Sequence, residues 1–286
     1  MRLKEIYSQT DKPIISYEVF PPKDDNDGKK LENLFEELKK LTAFNPSLIS
    51  VTYGAGGSNK DESVEIIRRI KEELKITPMP HFTCVSTDTK NIKKYLETIE
   101  SLDVKNILAL RGDMPKEGTI CDDFKHADEL VGFIKEHTNL SVSVAGYPEG
   151  HKDCESMEKD LHYLKQKIDK GADVIYTQMF FNNEHYFSFV EKCEKMGITT
   201  PIIAGILPVS NYKQLSKMAQ MCRVEVPKKM QETLEKHQDN LDYTKKYGIE
   251  YASEQCQNLI ENNVQGLHFY TLNKAYAVSE ILKNIL

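Results

Sequence analysis

Residues 14–22 read Ile-Ile-Ser-Tyr-Glu-Val-Phe-Pro-Pro, a short apolar run with one carboxylate, Glu18, near its downstream end. Isoleucine, valine and aromatic residues favour a β-strand, and the two prolines end it. An ionised carboxylate that is buried without a partner is destabilising by several kcal/mol, so such a group is expected to be neutral, paired or functional. The run therefore predicts a buried strand that carries an acid to its carboxyl end.

Similar strand-like runs recur along the chain, separated by amphipathic helical patterns. They occupy residues 14–20, 47–53, 79–86, 106–112, 141–147, 173–180, 201–207 and 267–272. Eight strands that alternate with helices predict a parallel sheet with right-handed crossovers, and eight such units close into a (β/α)8 TIM barrel. An open doubly wound sheet is the competing architecture.

The last interval between strands, residues 208–266, is about twice as long as the others. It predicts an extra helical insertion between strands 7 and 8. The charged segment 228–247 is expected to form an exposed helix that begins at Pro227. We therefore expect one domain over residues 1–286.

Composition and charge limit the partners and sites that this sequence is expected to have. The net charge is −6, with 40% hydrophobic and 29% charged residues, and no basic block is present. Nucleic acid and anionic membranes are therefore not expected as partners, and no apolar run reaches the roughly 18–20 residues that span a bilayer. The six cysteines are scattered singly, without C-x-x-C or H-E-x-x-H spacing. Free thiols, a cytoplasmic location and no metal site are expected.

Active sites of TIM barrels lie at the carboxyl ends of the strands. The polar residues that come late in their runs are Glu18, Thr52, Arg111, Asp113, Tyr147 and Gln178. Alternation puts Ser16 and Glu18 on one face of the first strand. The same rule puts Ile107, Ala109, Arg111 and Asp113 on one face, so that Arg111 and Asp113 are expected to share the barrel mouth.

Glu18 is the strongest catalytic candidate. In a narrow barrel mouth its pKa is expected to rise above the usual value of about 4.3, so that it donates a proton near neutral pH. The alternative is a salt bridge between Glu18 and Arg111. The tripeptide Arg111-Gly112-Asp113 likewise either positions a polar cofactor or forms an ion pair that closes a turn.

Three further features have two interpretations each. Residues 54–58, Gly-Ala-Gly-Gly-Ser, are a ligand-binding loop or a simple turn before a helix. Asp160, Tyr163 and Lys167 share one helix face, which either holds ribose hydroxyls and a pyrophosphate or is solvated. Gln178 lies inside an apolar strand and hydrogen-bonds either a neighbour or a ligand.

Eight short motifs follow one another along the chain. They are Ser-Tyr-Glu-Val-Phe-Pro-Pro (16–22), Ser-Val-Thr-Tyr-Gly-Ala (50–55), Pro-His-Phe-Thr-Cys (80–84), Leu-Ala-Leu-Arg-Gly-Asp (108–113), Ser-Val-Ala-Gly-Tyr-Pro-Glu-Gly-His (143–151), Thr-Gln-Met-Phe-Phe (177–181), Gly-Ile-Leu-Pro-Val-Ser-Asn (205–211) and His-Phe-Tyr-Thr-Leu-Asn (268–273). In this order they resemble the methylenetetrahydrofolate reductase family, in the short bacterial form that lacks the regulatory domain of the animal enzymes.

The resemblance implies an FAD-containing barrel that reduces 5,10-methylenetetrahydrofolate to 5-methyltetrahydrofolate by ping-pong hydride transfer, in one-carbon metabolism and methionine supply. NADH or NADPH is the implied electron source, and a homo-oligomer is expected. Glu18 takes the position of the family's general acid, and Asp113 is expected to hydrogen-bond the pterin and to place negative charge near the flavin. The positions that match flavin contacts are Thr52, Tyr53, Ala55, His81, Arg111, Gly112, Asp113, Ala127, Tyr147, His151, Asp160 and Lys167.

Substrate contacts are implied at Gln178, Gln214 and Lys274. Lys274 replaces an arginine, which keeps the charge but loses bidentate geometry. Met218 stands where an aromatic residue can stack on the nicotinamide. The rival functions are a flavin barrel that acts on an amino acid, as in proline dehydrogenase, and a cofactor-free folate-binding subunit.

Overall fold

A computed structural model describes residues 1–8, 12–23, 25, 27–53, 60–85, 87–113 and 123–286 of the chain. Its central element is a closed barrel of eight parallel strands in sequence order, in which β1 also pairs with β8. The strands are β1 (Ile14–Val19), β2 (Leu48–Val51), β3 (Thr77–Thr83), β4 (Asn106–Leu110), β5 (Ser141–Gly146), β6 (Val174–Met179), β7 (Ile202–Ile206) and β8 (Gly266–Tyr270). The TIM-barrel prediction is confirmed, and the open doubly wound sheet is wrong.

Helices surround the barrel. They are α1 (Leu3–Ser8), α2 (Lys29–Thr42), α3 (Lys60–Glu72), α4 (Thr89–Ser101), α5 (Ala127–His137), α6 (Met157–Asp169), α7 (Asn183–Lys195), α8 (Tyr212–Cys222), α9 (Lys228–Lys236), α10 (Leu241–Glu261) and α11 (Tyr276–Ile285). In α2, for example, Leu34, Leu38 and Leu41 lie on one face and are buried against the barrel. Burial of each such side chain stabilises the fold by roughly 1.5–3 kcal/mol.

The predicted insertion between strands 7 and 8 is present, but it contains two helices where one was expected over 228–247. The first, α9, begins after Pro227. A new helix, α10, begins after Asn240, whose side chain accepts a hydrogen bond from the Tyr243 backbone N–H at 3.0 Å. Met230 and Leu234 of α9 are buried, so this helix is not simply solvated. Their cluster covers the carboxyl ends of β6 and β7 and so helps to form the wall of the barrel mouth.

The opposite end of the barrel is closed by α1, which the sequence patterns did not predict. Leu3 and Ile6 are almost fully buried against Ile14, Leu48 and neighbouring residues of the barrel interior. The backbone N–H of Leu3 also donates to the Asn106 side chain at 2.9 Å. This apolar floor leaves the carboxyl ends of the strands as the place for chemistry.

Side-chain alternation holds in β1 but was assigned to the wrong face in β4. Ser16 contacts the interior residue His268, while Tyr17 packs outward among the helices, as expected. In β4 it is Ile107 and Ala109 that pack toward the helices, in the outer cluster. The Arg111 side chain is therefore on the face of β4 that packs toward the helices, and the interior face carries Leu108 and Leu110.

Five of the cysteines, Cys84, Cys154, Cys193, Cys222 and Cys256, are free thiols, as predicted. Cys121 lies outside the described residues. No helix in the described part of the chain combines the length and the apolar composition that a membrane span requires.

Candidate functional site

Glu18 lies in a cavity at the carboxyl end of the barrel, with a volume of about 310 Å³. The cavity is lined by Glu18, Thr52, His81, Leu108, Leu110, Ala145, Tyr147, Tyr176, Gln178, Met179, Met218, Cys222, His268, Tyr270 and Leu272. Most of these side chains are apolar or aromatic, and the polar ones come from separate strands. Such a lining suits a flat, largely apolar ligand that a few polar groups orient.

The Glu18 side chain is only 22% exposed, and the His81 imidazole lies beside it, with 3.6 Å between Oε2 and Nε2. Burial raises the pKa of the Glu18 carboxyl to about 8. Burial also lowers the pKa of His81 to about 3. Both groups are therefore mostly neutral at pH 7, and Glu18 holds a proton that it can donate.

The alternative of a Glu18–Arg111 salt bridge is wrong. The Arg111 guanidinium instead contacts the Asp153 carboxylate, with 2.9 Å between Nη2 and Oδ2. It also donates from Nε to the Gly112 carbonyl at 3.2 Å. Arg111 therefore does not hold Glu18 in its ionised form.

His81 carries an unsatisfied atom toward the same cavity. Its Nε2 is buried and has no hydrogen-bond partner among the described residues, since Glu18 is slightly too far away. A buried polar atom without a partner is unfavourable by about 1–3 kcal/mol. This nitrogen therefore marks a position at which a ligand would gain a hydrogen bond.

The site prediction missed one histidine and two tyrosines that line the Glu18 cavity. His268 is fixed by the Ser16 hydroxyl at 2.8 Å from Nδ1, and burial lowers the pKa of His268 to about 3. The Tyr270 hydroxyl donates to the Thr177 carbonyl at 2.7 Å, and Tyr176 also lines the cavity. His268 and Tyr270 alternate in the run 268–273, which is the signal that could have identified them.

A second cavity adjoins the first at the end of β4. Its lining is Leu110, Arg111, Gly112, Asp113, Tyr147, His151, Lys152, Gln178, Met221 and Cys222. Gly112 has a φ of +87°, and a Cβ there would lie 2.9 Å from side-chain atoms of both Thr83 and Val85. Only glycine fits this turn without strain, so its backbone is open to close approach by a ligand.

A third cavity extends between α5 and α6 and is rich in charged groups. It is lined by Ala109, Leu110, Arg111, His126, Ala127, Asp128, Ala145, Tyr147, His151, Asp153, Cys154, Asp160, Tyr163, Gln166 and Lys167. The Lys167 ammonium donates to the Ala145 carbonyl at 2.7 Å, and burial lowers the pKa of Lys167 to about 8. Asp160 accepts the His151 backbone N–H at 3.1 Å, and burial raises the pKa of Asp160.

The three cavities are adjacent because they share lining residues, and we call them together the trough, from Glu18 at one end to Lys167 at the other. Leu110 and Tyr147 line all three. The barrel end of this trough is apolar with one acid, and the far end carries the cations Arg111 and Lys167 together with the carboxylates of Asp128, Asp153 and Asp160. The trough suits an elongated ligand with a flat ring system at one end and anionic and hydroxyl groups at the other.

Most of the predicted site residues lie along this trough, but some do not. Tyr53, Gln214 and Lys274 do not line the three cavities. The Tyr53 ring packs on Phe82, with 5.0 Å between centroids. Ala55 and the rest of segment 54–58 lie outside the described residues.

Asp113 lies at the edge of the trough. Its side chain is 80% exposed, and Oδ1 is 3.1 Å from the Lys152 ammonium. It lines the second cavity together with Gln178, although it is absent from the cavity around Glu18. Asp113 is thus available to a ligand as a solvated acceptor, whereas Glu18 is a buried acid.

Residues 2–286 match the sequence model of one protein family, Methylenetetrahydrofolate reductase. The chain belongs to the methylenetetrahydrofolate reductase family. The resemblance inferred from eight ordered motifs is confirmed over almost the whole chain.

Relatives from plants and bacteria agree with this membership in the methylenetetrahydrofolate reductase family. The chain is 37% identical to 5,10-methylenetetrahydrofolate reductase of Pectobacterium carotovorum subsp. carotovorum, over 94% of the chain and 89% of that relative. It is 39% identical to Methylenetetrahydrofolate reductase (NADH) 1 of Arabidopsis thaliana, over 94% of the chain and 48% of that relative. The chain therefore spans about half the length of the plant relative and most of the bacterial one.

A solved structure shares the fold of this methylenetetrahydrofolate reductase family member. It is an uncharacterized protein from Clostridium thermocellum that binds two copies of 5-methyl-5,6,7,8-tetrahydrofolic acid. The two chains superpose with a TM-score of 0.71 at 15% identity, over 99% of this chain and 97% of the other. At this identity the likeness establishes the barrel fold alone.

Proposed function

We propose that this chain reduces 5,10-methylenetetrahydrofolate to 5-methyltetrahydrofolate, with FAD as cofactor and NADH or NADPH as electron source. The observation that carries the proposal is the buried Glu18 carboxyl, whose pKa is raised to about 8, in the barrel mouth of a family member. The names of the bacterial relatives support the substrate. The word NADH in the plant relatives' names supports a nicotinamide donor.

The lining of the trough fits FAD. The unpartnered His81 nitrogen and the open backbone at Gly112 suit the polar edge of an isoalloxazine ring. Arg111 and Lys167 supply positive charge for the pyrophosphate. When bound, FAD supplies a two-electron hydride relay between the nicotinamide and the folate.

The other proposed flavin contacts follow the trough in order. Asp160 is a carboxylate acceptor for ribose hydroxyls, and the peptide N–H of His151 already approaches it. The remaining contacts are Thr52, Ala127, Tyr147 and His151 along the lining, with Ala55 and the backbone of Tyr53 in the segment after β2. The Tyr53 ring packs in an aromatic cluster, so the backbone of Tyr53 is the part that contacts the flavin.

Glu18 acts as the general acid of the folate reaction. Opening of the five-membered ring of methylenetetrahydrofolate to an iminium ion requires a proton on a ring nitrogen, and Glu18 holds one at neutral pH. Neutral His81 does not compete for this proton, because its own pKa is lowered to about 3. The 22% of the Glu18 side chain that stays exposed allows reprotonation from solvent.

The folate is oriented by groups at the outer part of the site. Gln178 lines two of the cavities and offers both a donor and an acceptor to the folate or the nicotinamide. Asp113 accepts a hydrogen bond from the pterin, and its charge disfavours an anionic reduced flavin. Gln214 and Lys274 are exposed and outside the three cavities, so we assign them to the distal part of the folate.

Anaerobic stopped-flow measurements of the two half-reactions test this proposal. Wild-type protein and Glu18→Gln are each mixed with NADH or NADPH, and the reduced protein is then mixed with methylenetetrahydrofolate. We expect Glu18→Gln to retain flavin and to be reduced at the wild-type rate, but to reoxidise with folate at least about 100-fold more slowly. Glu97→Gln, an exposed carboxylate of α4, is the matched control.

Two results would contradict the proposal. Equal rates of both half-reactions in wild type and Glu18→Gln would remove the acid assignment. A colourless preparation that cannot be loaded with FAD but binds folate would favour the cofactor-free folate-binding subunit.

A further inference from the structure

Three side chains that the proposed reaction does not use converge beside the trough. Glu149 lies between β5 and α6, His185 lies in the first turn of α7, and Glu225 lies between α8 and α9. One ligand atom from each residue lies within 4.8 Å of the other two. The His185 Nε2 is 3.2 Å from a Glu225 carboxylate oxygen.

One atom of this cluster has no partner. The Glu149 Oε2 accepts the backbone N–H of Glu225 at 2.7 Å, which fixes the orientation of the carboxylate. The other oxygen, Oε1, is buried and without a hydrogen-bond partner in the described part of the chain. The Glu149 carboxylate also lies close to that of Glu225, and two such carboxylates repel each other unless a positive group or a proton joins them.

We propose that Glu149, His185 and Glu225 form a binding site for one divalent transition-metal ion, and that Zn²⁺ suits it best. Zinc binds imidazole nitrogen and carboxylate oxygen at about 2.0–2.2 Å, so ligand atoms on one ion lie roughly 3–4 Å apart. Small side-chain rotations bring the three atoms into that range. Two carboxylates balance the charge of the ion, and water completes a tetrahedron.

The ligand chemistry discriminates between metal classes. Mg²⁺ and Ca²⁺ prefer sites made of oxygen atoms alone, whereas an imidazole with two carboxylates suits zinc and its first-row neighbours. Sequence patterns do not indicate this site, because its ligands are far apart along the chain and form no spacing motif. The expectation of no metal site rested on the absence of such motifs.

The backbone around the cluster is held in place independently of any ion. The Arg223 guanidinium donates to the Lys152 carbonyl at 2.8 Å, which joins the segment after α8 to the segment after β5. The hydrogen bond from Glu225 to Glu149 joins the same two segments. The ligands on these segments are therefore preorganised, and α7 adds the third.

The position of the site suggests a role for the ion. Glu149 lies two residues after Tyr147 and two residues before His151, and both of these line the trough. An ion at Glu149 would hold this wall of the trough against α7 and the α8–α9 segment. The proposed ion is a structural brace and takes no part in the reaction, so the site does not depend on the proposed function.

Equilibrium dialysis of chelator-treated full-length protein against Zn²⁺, followed by metal quantification, tests the site. We expect one Zn²⁺ per chain in wild type and in the control Glu184→Gln, which changes the exposed residue next to His185. His185→Ala and Glu225→Gln are expected to bind it roughly tenfold or more weakly. Because the Glu225 side chain is 67% exposed, Glu225→Gln keeps the test valid if His185→Ala fails to fold.

Cysteine thiols are the main competitors for zinc, since Cys154 and Cys222 both line the trough. A Cys154→Ser/Cys222→Ser variant should keep the bound zinc, and Co²⁺ should give d–d bands without thiolate charge-transfer absorption. Wild-type zinc affinity in both His185→Ala and Glu225→Gln, loss of zinc in the cysteine variant, or equal affinity for Mg²⁺ would each overturn the proposal. Zinc should also raise the Tm of wild type and of Glu184→Gln by more than it raises the Tm of Glu225→Gln.

Discussion

Replacement of Glu18 by glutamine should make the stability of this protein less sensitive to alkaline pH. Burial raises the pKa of the Glu18 carboxyl from 4.5 to about 8. Between these two values the folded protein binds a proton that the unfolded chain has released. The free energy of unfolding of wild type therefore falls as pH rises through this window, and the contribution of the neutral carboxyl is lost above pH 8.

The size of the effect follows from the two pKa values. One pH unit corresponds to about 1.4 kcal/mol, so the interval from 4.5 to about 8 corresponds to at most about 5 kcal/mol. Glutamine has nearly the shape of protonated glutamate and does not ionise. The stability of Glu18→Gln relative to wild type should therefore increase by up to that amount between about pH 5 and pH 9.

Urea unfolding followed by circular dichroism at about pH 5, 7 and 9 measures this difference. Glu97→Gln serves as the surface control, because any general effect of pH on the fold appears equally in it. The expected result is a difference between Glu18→Gln and wild type that grows with pH, while the difference for the control stays constant. If the curves of wild type and Glu18→Gln run parallel across this range, the carboxyl is not held neutral by burial and the argument for a poised acid fails.

Four further changes test other parts of the site. Gly112→Ala places a Cβ in a positive-φ turn, 2.9 Å from a side-chain atom of Thr83. We expect the free energy of unfolding in urea to fall by about 1–3 kcal/mol and the flavin to be retained more weakly. Unchanged stability would contradict the strain at this turn. Lys167→Met removes a buried cation and keeps nearly the same side-chain length, so FAD should bind about tenfold or more weakly. Titration of the apoprotein with flavin measures this affinity. Equal affinity of wild type and variant would show that Lys167 is not part of the pyrophosphate site. Burial lowers the pKa of His268 from 6.5 to about 3, so the free energy of unfolding of wild type should fall as pH falls through this range. The free energy of unfolding of His268→Asn should fall less over the same range. Equal acid sensitivity of the two proteins would argue against a buried neutral imidazole. Asp113→Asn should raise the flavin midpoint potential, because a negative charge near the ring is removed; an unchanged potential would leave Asp113 only its hydrogen bond to the pterin.

Much of the barrel could be predicted because each strand is a buried apolar run between turn residues. All eight predicted runs overlap the observed strands. The six-residue helix α1 was missed, because its two buried side chains are too few to establish a helical period. The break before α10 depends on the Asn240 cap, which a continuous charged pattern conceals.

The candidate site was less predictable than the fold. Glu18 was identified because a carboxylate in an apolar strand is unusual in any context. The face of Arg111 was assigned wrongly, because an alternating strand pattern has two sides and the sequence does not say which one faces inward. The meeting of Glu149, His185 and Glu225 depends on two loops and the first turn of α7, and their distances in space cannot be read from spacing along the chain.

The apolar floor formed by α1 has a kinetic consequence for the proposed reaction. With Leu3 and Ile6 filling the lower end, the described residues leave the upper end as the route for entry and exit. Nicotinamide and folate must then occupy the same space in succession. Each should act as a competitive inhibitor of the other at high concentration, and truncation of the first eight residues should unfold the barrel instead of opening a second entrance.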